Sequence, residues 1–214
     1  MMEKTPGCSE ALYYTCESCR LRFPSLESLK RCPACGGGLR FFLSRPLEKD
    51  GPKERKLLEP SCVGVLENLR SAWNVGSIFR TAEAAGLSHL YLCGITPAGD
   101  HPAVAKTALG AEEVLPWSHH PNALELTRRL QKEGFFLLAL ETEGSRPWHP
   151  GLELPEQPLA LVVGNELCGV DPEVLSLCDL VLQLPMRGYK RSLNVAVAFG
   201  VLALWLSARR SIPR

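Results

Sequence analysis

From residue 61 onward the sequence predicts an α/β domain built on a parallel sheet with helices on both faces. Three observations carry this. Short apolar runs of strand length alternate with helical patterns through residues 61–206. The runs at 135–140 and 159–163 are apolar at almost every position, as strands covered on both faces are. Helix punctuation falls between the runs, with Asn or Asp before helical stretches and Gly after them. Strands that alternate with helices in this way pair in parallel, because each helix is the crossover that returns the chain to the same edge of the next strand.

In order, residues 62–66 read as a strand. Residues 75–85 read as a helix following Asn74, with Gly86 at its end. A second strand is expected at 89–95. Residues 122–133 form an amphipathic helix stopped by Gly134, and 171–177 a helix with Pro172 at its first position. The last strand is expected at 180–184, and an apolar helix at 193–206, where Ser192 suits an N-cap or first-turn position. That helix is apolar on nearly every face, so it must be covered by something other than water. The WSHHPN stretch around His119 and His120 reads as a loop with no assigned role. Trp117, Trp148 and Trp205 read as packing residues, and Trp73 as either packing or base stacking.

The N-terminal region is organised differently. CESC (16–19) and CPAC (32–35) are separated by twelve residues. Two such knuckles present four soft ligands, Cys16, Cys19, Cys32 and Cys35, that can close a tetrahedral zinc site. Metal binding offsets the ordering entropy that so short a segment could not otherwise meet. A site closed by four thiolates has no open coordination position, so it is structural or recognitional rather than catalytic. Cys8, Cys62, Cys93, Cys168 and Cys178 lack a CxxC partner and read as small core residues. The division expected is a zinc ribbon at 1–45, a linker rich in proline and charge at 46–60, and the α/β domain at 61–214.

Composition narrows the function classes. With 214 residues and 45% hydrophobic content, the chain can bury a full core. No run reaches membrane-span length and the first residues carry no secretory pattern; nine cysteines then indicate thiols and metal, and a cytoplasmic protein. The net charge is +1, with 11 Lys/Arg against 8 Asp/Glu in residues 1–60 and 13 against 15 in the rest. Bulk charge therefore cannot carry nucleic-acid binding, and local clusters must. Neither GxGxxG after the first strand nor a GxxxxGK[ST] loop occurs, which removes the usual phosphate cradles.

Three polar clusters interrupt the apolar text. In ENLRSAWNVGSIFR, Asn74 and Arg80 lie six apart. In VVGNELCGV, Gly164, Glu166 and Gly169 follow a buried run. In PMRGYKRSLNVAVA, Ser192, Leu193 and Asn194 open the last helix after a tribasic loop. Taken in this order, the three resemble the motifs of the SpoU/TrmH branch of the SPOUT methyltransferases, roughly N-x-G-x-x-x-R, G-x-E-x-x-G and M-x-G-x-x-x-S-L-N-V. The resemblance spans about residues 61–207.

The resemblance implies a C-terminal trefoil knot, S-adenosylmethionine bound in that knot, methyl transfer to a ribose 2′-hydroxyl of tRNA or rRNA, and a homodimer formed through the knotted domain. By position, it implies cofactor contacts from Gly164, Leu184, Met186, Gly188 and Leu193, with Thr142 nearby. Asn74, Ser192 and Asn194 would orient ribose, phosphate and Arg80, and Glu166 would hold the catalytic loop or the arginine. Arg70, Arg187, Lys190 and Arg191 flank the same loops and could neutralise phosphates.

Arg80 matches the family's proton acceptor. Deprotonating a guanidinium at pH 7 costs about 7 kcal/mol, so a phosphate grip by its planar fork is the less costly role. Leu167 and Cys168 replace the small residues usual after Glu166, a departure that would narrow the pocket. Two alternatives stay open: a non-catalytic knotted RNA-binding or assembly protein, and methylation of a base rather than a ribose. The zinc ribbon could touch RNA or a protein partner.

Overall fold

The computed structural model describes residues 10–47, 56–59, 61–142 and 146–210. The chain divides into two compact units, Met1–Glu54 and Arg55–Arg214. Cys8 and most of the expected linker lie outside the described residues.

The first unit is a three-stranded antiparallel sheet of β1 (Glu10–Cys16), β2 (Arg22–Ser25) and β3 (Leu39–Pro46), in the order β2-β1-β3. The β1–β3 register shifts between Tyr13 and Tyr14, a bulge that gives β3 one extra residue there. The C-terminal end of the sheet's central strand is tied to both cysteine knuckles: the Cys16 amide donates to Leu21 O and the Glu17 amide to Gly38 O.

The second unit holds a seven-stranded sheet in which every pairing is parallel. Its strands are β4 (Cys62–Glu67), β5 (His89–Cys93), β6 (Trp117–His120), β7 (Phe136–Leu140), β8 (Arg146–Pro147), β9 (Leu159–Val163) and β10 (Leu180–Gln183), ordered β6-β5-β4-β9-β7-β10-β8. Helices are α1 (Ala72–Ala84), α2 (Pro102–Ala108), α3 (Ala111–Val114), α4 (Ala123–Lys132), α5 (Pro172–Leu177) and α6 (Val195–Arg210). One face of the sheet buries Phe79, Ile78 and Val75 of α1 with Phe199, Leu202 and Leu206 of α6. The other buries Leu126 and Leu130 of α4 with Val174 of α5. Helices therefore cover both faces, and β4 and β9 are buried along their whole length. Each fully buried Leu, Val or Phe contributes roughly 1.5–3 kcal/mol of transfer free energy.

Local chemistry sets the helix ends. Ser71 caps α1 by accepting from the Asn74 amide at 3.3 Å, so the helix begins three residues earlier than the sequence reading placed it. Gly76 lets α1 approach α2, since a Cβ there would run into the Val104 carbonyl and Thr107. Asn122 caps α4, and Gly134 ends that segment at φ +84°.

Three expectations need correction. The WSHH segment is not a loop: it is edge strand β6, hydrogen-bonded to β5. Ser192 does not cap the last helix. The helix starts at Val195, and Asn194 Oδ1 accepts from the amides of Ala196 (2.9 Å) and Val197 (3.4 Å). Either residue type can cap, and Asn194 holds the position because the chain from 184 to 193 is irregular up to it. Within a single copy of the chain, Val197, Val201 and Leu204 of that helix stay exposed. Cys168 is exposed rather than core, whereas Cys62 and Cys93 are fully buried.

Candidate active site

A cavity of about 450 Å³ opens where three adjacent strands end. Leu140 closes β7, Val163 closes β9 and Gln183 closes β10, and the residues that follow each strand form the walls. Open α/β sheets bind ligands outside the carboxyl ends of their strands, and this cavity occupies that place.

Close backbone approach builds the β9 wall. A Cβ on Gly164 would collide with the backbone of Gly169 and Val170, so only glycine permits the turn to fold back on itself there. Asn165 and Gly169 exchange both backbone bonds, at 3.0 and 2.9 Å, and Gly169 sits at φ +75°. The Asn165 side chain then joins this turn to the end of β4: its Nδ2 donates to Asn68 O at 2.7 Å, and its Oδ1 accepts from the amides of Leu167 and Cys168. Glu141, after β7, accepts from the Val170 amide at 2.7 Å and the Thr142 amide at 3.0 Å. Two strand ends are thus tied by one carboxylate.

Glu166 organises the polar edge. Its carboxylate accepts from the amides of Arg70 (2.9 Å) and Ser71 (3.1 Å) and from Asn74 Nδ2 (3.0 Å). Asn74 Oδ1 in turn accepts from Asn194 Nδ2 at 3.0 Å. A single chain of hydrogen bonds runs from the β9 turn through the start of α1 to the cap of α6. Partial burial pushes the Glu166 carboxyl up; the Arg70 amide, its own amide, the Asn74 side chain and the Ser71 amide outweigh that and hold it below its ordinary value of 4.5. Hydrogen bonds to a charged partner contribute about 1.5–3 kcal/mol each when they are sheltered, and less at this partly open edge.

The sequence-named residues divide by location. Gly164, Leu184, Met186, Leu193 and Thr142 line the cavity, as do Glu166, Arg191, Ser192 and Asn194. Gly188 is not among its lining residues, and neither is Asn74, which reaches the edge through Glu166 and Asn194. Arg80 stands apart. It is exposed on α1, about 120° around the helix from Asn74, and partners none of Glu166, Asn74 or Asn194. In this chain Glu166 bonds the Arg70–Ser71 segment and Asn74, and not Arg80. Arg70, Arg187 and Lys190 are exposed around the rim. Leu167 is 77% exposed and lines the cavity, whereas Cys168 is not among its lining residues. Glu141, Asn165, Asn68 and Thr96 escaped the sequence reading. Buried Thr96 braces the β4 end, donating to Leu66 O and accepting from the Leu69 amide. Asn165, inside the glycine-flanked second cluster, was the one with a visible signal.

In the first unit, Cys16, Cys19, Cys32 and Cys35 place all four sulfurs within 4.8 Å of one another. The Cys16–Cys35 separation is 3.5 Å and the Cys19–Cys32 separation 3.7 Å. The Cys19 amide donates to Cys16 Sγ at 3.4 Å and holds that thiol down at about 6.

Fold and cavity together define an all-parallel α/β domain with a ligand site across the ends of neighbouring strands. Residues 61–204 match the family described as SpoU rRNA Methylase, and the chain belongs to that family. It is 31% identical over 159 residues to the 23S rRNA (guanosine-2′-O-)-methyltransferase RlmB of Pseudomonas putida, covering 72% of this chain and 62% of that one. It is 30% identical over 147 residues to the putative TrmH family tRNA/rRNA methyltransferase YacO of Bacillus subtilis, covering 69% and 58%. The chain thus spans about three fifths of the length of these relatives. Among solved structures, an AdoMet-bound rRNA methyltransferase from Sinorhizobium meliloti superposes with a TM-score of 0.67 at 26% identity, over 74% of this chain and 59% of that one. The TrmH/SpoU tRNA modifying enzyme of A. aeolicus gives 0.64 at 25% identity, over 73% and 78%.

Proposed function

We propose that the second unit binds S-adenosylmethionine in the cavity and transfers its methyl group to a ribose 2′-hydroxyl of tRNA or rRNA. The observation that carries this is the joining of three motif-bearing segments in one hydrogen-bonded edge, Glu166 to Asn74 to Asn194, beside a cavity at the strand ends. The cavity suits the cofactor in size, since small-molecule sites run from about 300 to 1,000 Å³. Its lining suits an adenosyl group too: Leu140, Leu184 and Leu193 supply apolar walls, and Thr142 and Gln183 polar ones.

When bound, the cofactor would supply an electrophilic methyl carbon on a sulfonium, whose sulfur would keep the bonding pair as the ribose oxygen took the methyl and the hydroxyl proton passed to solvent water. Gly164, Leu184, Met186, Leu193 and Thr142 hold the donor, with Gly188 belonging to the same loop. Ser192 and Asn194, at the edge between cavity and solvent, orient the incoming ribose. Asn74 fixes Asn194, and Glu166 fixes Asn74. Arg80, exposed and away from the cavity lining, grips a phosphate of the RNA; Arg70, Arg187, Lys190 and Arg191 offer further phosphate contacts around the rim.

The reading has three structural parts. A trefoil knot in the C-terminal segment is supported by the strand order, with β9 set between β4 and β7 and β10 beyond β7, and by the loops after β9 and β10 sharing one cavity. A homodimer is supported by the exposed stripe Val197, Val201, Leu204 on α6, whose apolar surface a second copy would cover. Zinc in the first unit is supported by sulfur separations of 3.5 and 3.7 Å, since arms of about 2.3 Å in a tetrahedron place sulfurs about 3.8 Å apart. No helix among the described residues is long and apolar enough to cross a membrane.

A second reading, a non-catalytic RNA-binding or assembly protein, is favoured by one observation, the separation of Arg80 from the cavity-lining residues. Incubation with methyl-labelled S-adenosylmethionine and total RNA, followed by digestion to nucleosides, separates the two. Label in 2′-O-methylribose is expected. Label on a base contradicts the assigned position, and RNA binding without any label favours the second reading.

A further inference from the structure

The sheet of the first unit has two chemically different faces. Residues directly opposite in an antiparallel pair share a face. Tyr14 lies opposite Phe23 and Phe41, with ring centroids 6.1 and 6.0 Å away, and Tyr14 and Cys16 are buried on that side. The other face carries the alternate residues of β1. Thr15 is flanked by Arg22 on one neighbouring strand and Arg40 on the other; Tyr13 is flanked by Pro24 and Leu43; Ala11 lies opposite Arg45. The bulge delivers Phe42 to this same face. Its ring is 6.2 Å from that of Tyr13, and the Arg22 guanidinium sits 4.0 Å above it.

Arg22, Arg40, Arg45, Pro24 and Leu43 are exposed, while Tyr13 and Phe42 are half-buried between them. Glu10, the one carboxylate of the three strands, alternates onto the opposite face with Leu12 and Tyr14. The face is therefore three guanidiniums around an aromatic pair with no acid on its strands. Nothing in the metal site or the methyl-transfer chemistry uses it.

We propose that this face binds single-stranded RNA, giving the protein a second RNA contact apart from the cavity of the other unit. The proposal deepens the reading of an RNA-modifying enzyme and rests on it for the identity of the ligand. Unpaired bases stack on aromatic rings and on guanidinium planes, and Tyr13 with the Arg22–Phe42 stack offers both. Arg40 and Arg45, on the outer strand, lie where a backbone crossing the sheet would place its phosphates. A duplex hides its bases and an acidic peptide has no planes to stack, so the aromatic centre favours a single strand over both.

The test uses the full chain and a fluorescent mixed-sequence single-stranded RNA of about 15 nucleotides, long enough to span such a site. Affinity is read by anisotropy over a salt series, and heat of S-adenosylmethionine binding is measured on the same preparations. Arg22→Gln/Arg40→Gln/Arg45→Gln is expected to lower affinity about 10- to 100-fold and to reduce the log–log salt slope by about 2, at roughly 0.7 per phosphate lost. Arg40→Gln/Arg45→Gln, which breaks no contact among the described residues, is expected to reduce the slope by about 1.4 on the same scale. Phe42→Leu should lose about tenfold with the slope unchanged, the signature of lost stacking. Cofactor heat should stay as in the wild type throughout.

Unchanged RNA affinity in the double arginine variant overturns the proposal, as does a wild type that ignores the probe, or one in which the substitutions weaken only an acidic protein partner. The methyl-transfer reading fails separately, by wild-type protein that binds the RNA through this face yet takes up no cofactor and transfers no methyl group.

Discussion

In the first unit, β2 and β3 leave most of their residues exposed or half-exposed, and four cysteines bring two turns to one point. In the second, β4 and β9 are buried end to end between two layers of helices. A segment of about forty residues cannot bury enough apolar surface to offset its ordering entropy, whereas one four times longer can. On the zinc reading proposed above, the same chain solves one problem twice, by ligation through four clustered cysteines where it is short and by hydrophobic burial where it is long. The contrast extends to function. The buried unit forms the cavity of the candidate site at the carboxyl ends of its strands, where core packing stops, while the small unit leaves most of its described residues at the surface.

Metal removal should break this contrast most visibly. Structural zinc contributes an apparent 10–16 kcal/mol in small domains, so a strong chelator is expected to unfold the first unit outright. Hydrogen exchange should show residues 10–47 losing protection while β4 and β9 keep theirs. Equal loss in both units would refute the division. Gly164→Ala tests the burial side. Its Cβ would push into the Gly169–Val170 backbone, and overpacking of this kind costs about 1–3 kcal/mol, a fall of roughly 2–12 °C in the melting transition of the second unit alone. An unchanged melting temperature would show that the turn relaxes without cost.

Much of the buried unit could be read from its residues. The run at Leu159–Val163 is apolar throughout, and its bounds in the sequence reading and in the structure coincide. Gly86 and Gly134 follow helices at positive φ. β6 was hidden because an edge strand pairs on one side only and tolerates the polar sequence WSHH, and β8 because two residues carry no period. At the site, the three clusters were visible as polar interruptions in apolar text, but their wiring was not. Glu141 accepts from the Val170 amide, 29 residues on, and Asn165 donates to the Asn68 carbonyl, 97 residues back, and both are brought near only by the folding of separate strands. No local pattern encodes such contacts. Arg80 illustrates the converse: the spacing to Asn74 was plain, but six residues along a helix turn the two side chains to different faces.

Glu166→Gln sharpens the distinction between fold and site. It removes the charge from the acceptor of the Arg70 and Ser71 amides, so methyl transfer should fall about 10- to 100-fold, while the melting temperature of the second unit falls by only a few degrees, at about 2–4 °C per kcal/mol. Loss of cofactor heat instead would place Glu166 in the donor pocket. Asn194→Ala removes the α6 cap as well as the link to Asn74, which should lower stability by about 1 kcal/mol and also slow transfer. Stability loss without loss of transfer would leave Asn194 a cap alone.

Acid should give the smallest effect, and its sign follows from Glu166. A carboxyl held below its ordinary value of 4.5 in the folded state stabilises the loop above that value and releases it as pH falls through the lowered one. Buried Glu67 runs the other way. Burial is the main cause that raises its pKa, with Asp171 and Glu141 adding to it against the Asp171 amide, so its contribution is present at low pH and is lost as pH rises. Glu67→Gln should therefore leave stability at neutral pH unchanged or slightly raised, as thermal melting over a pH series would show.

The most direct measurement is hydrogen exchange of the full chain with and without S-adenosylmethionine. Slowed exchange confined to residues 140–142, 163–170 and 184–198 is expected, because those amides surround the cavity at the ends of β7, β9 and β10. Protection elsewhere, or none at saturating cofactor, would contradict a donor site built from those three strand ends.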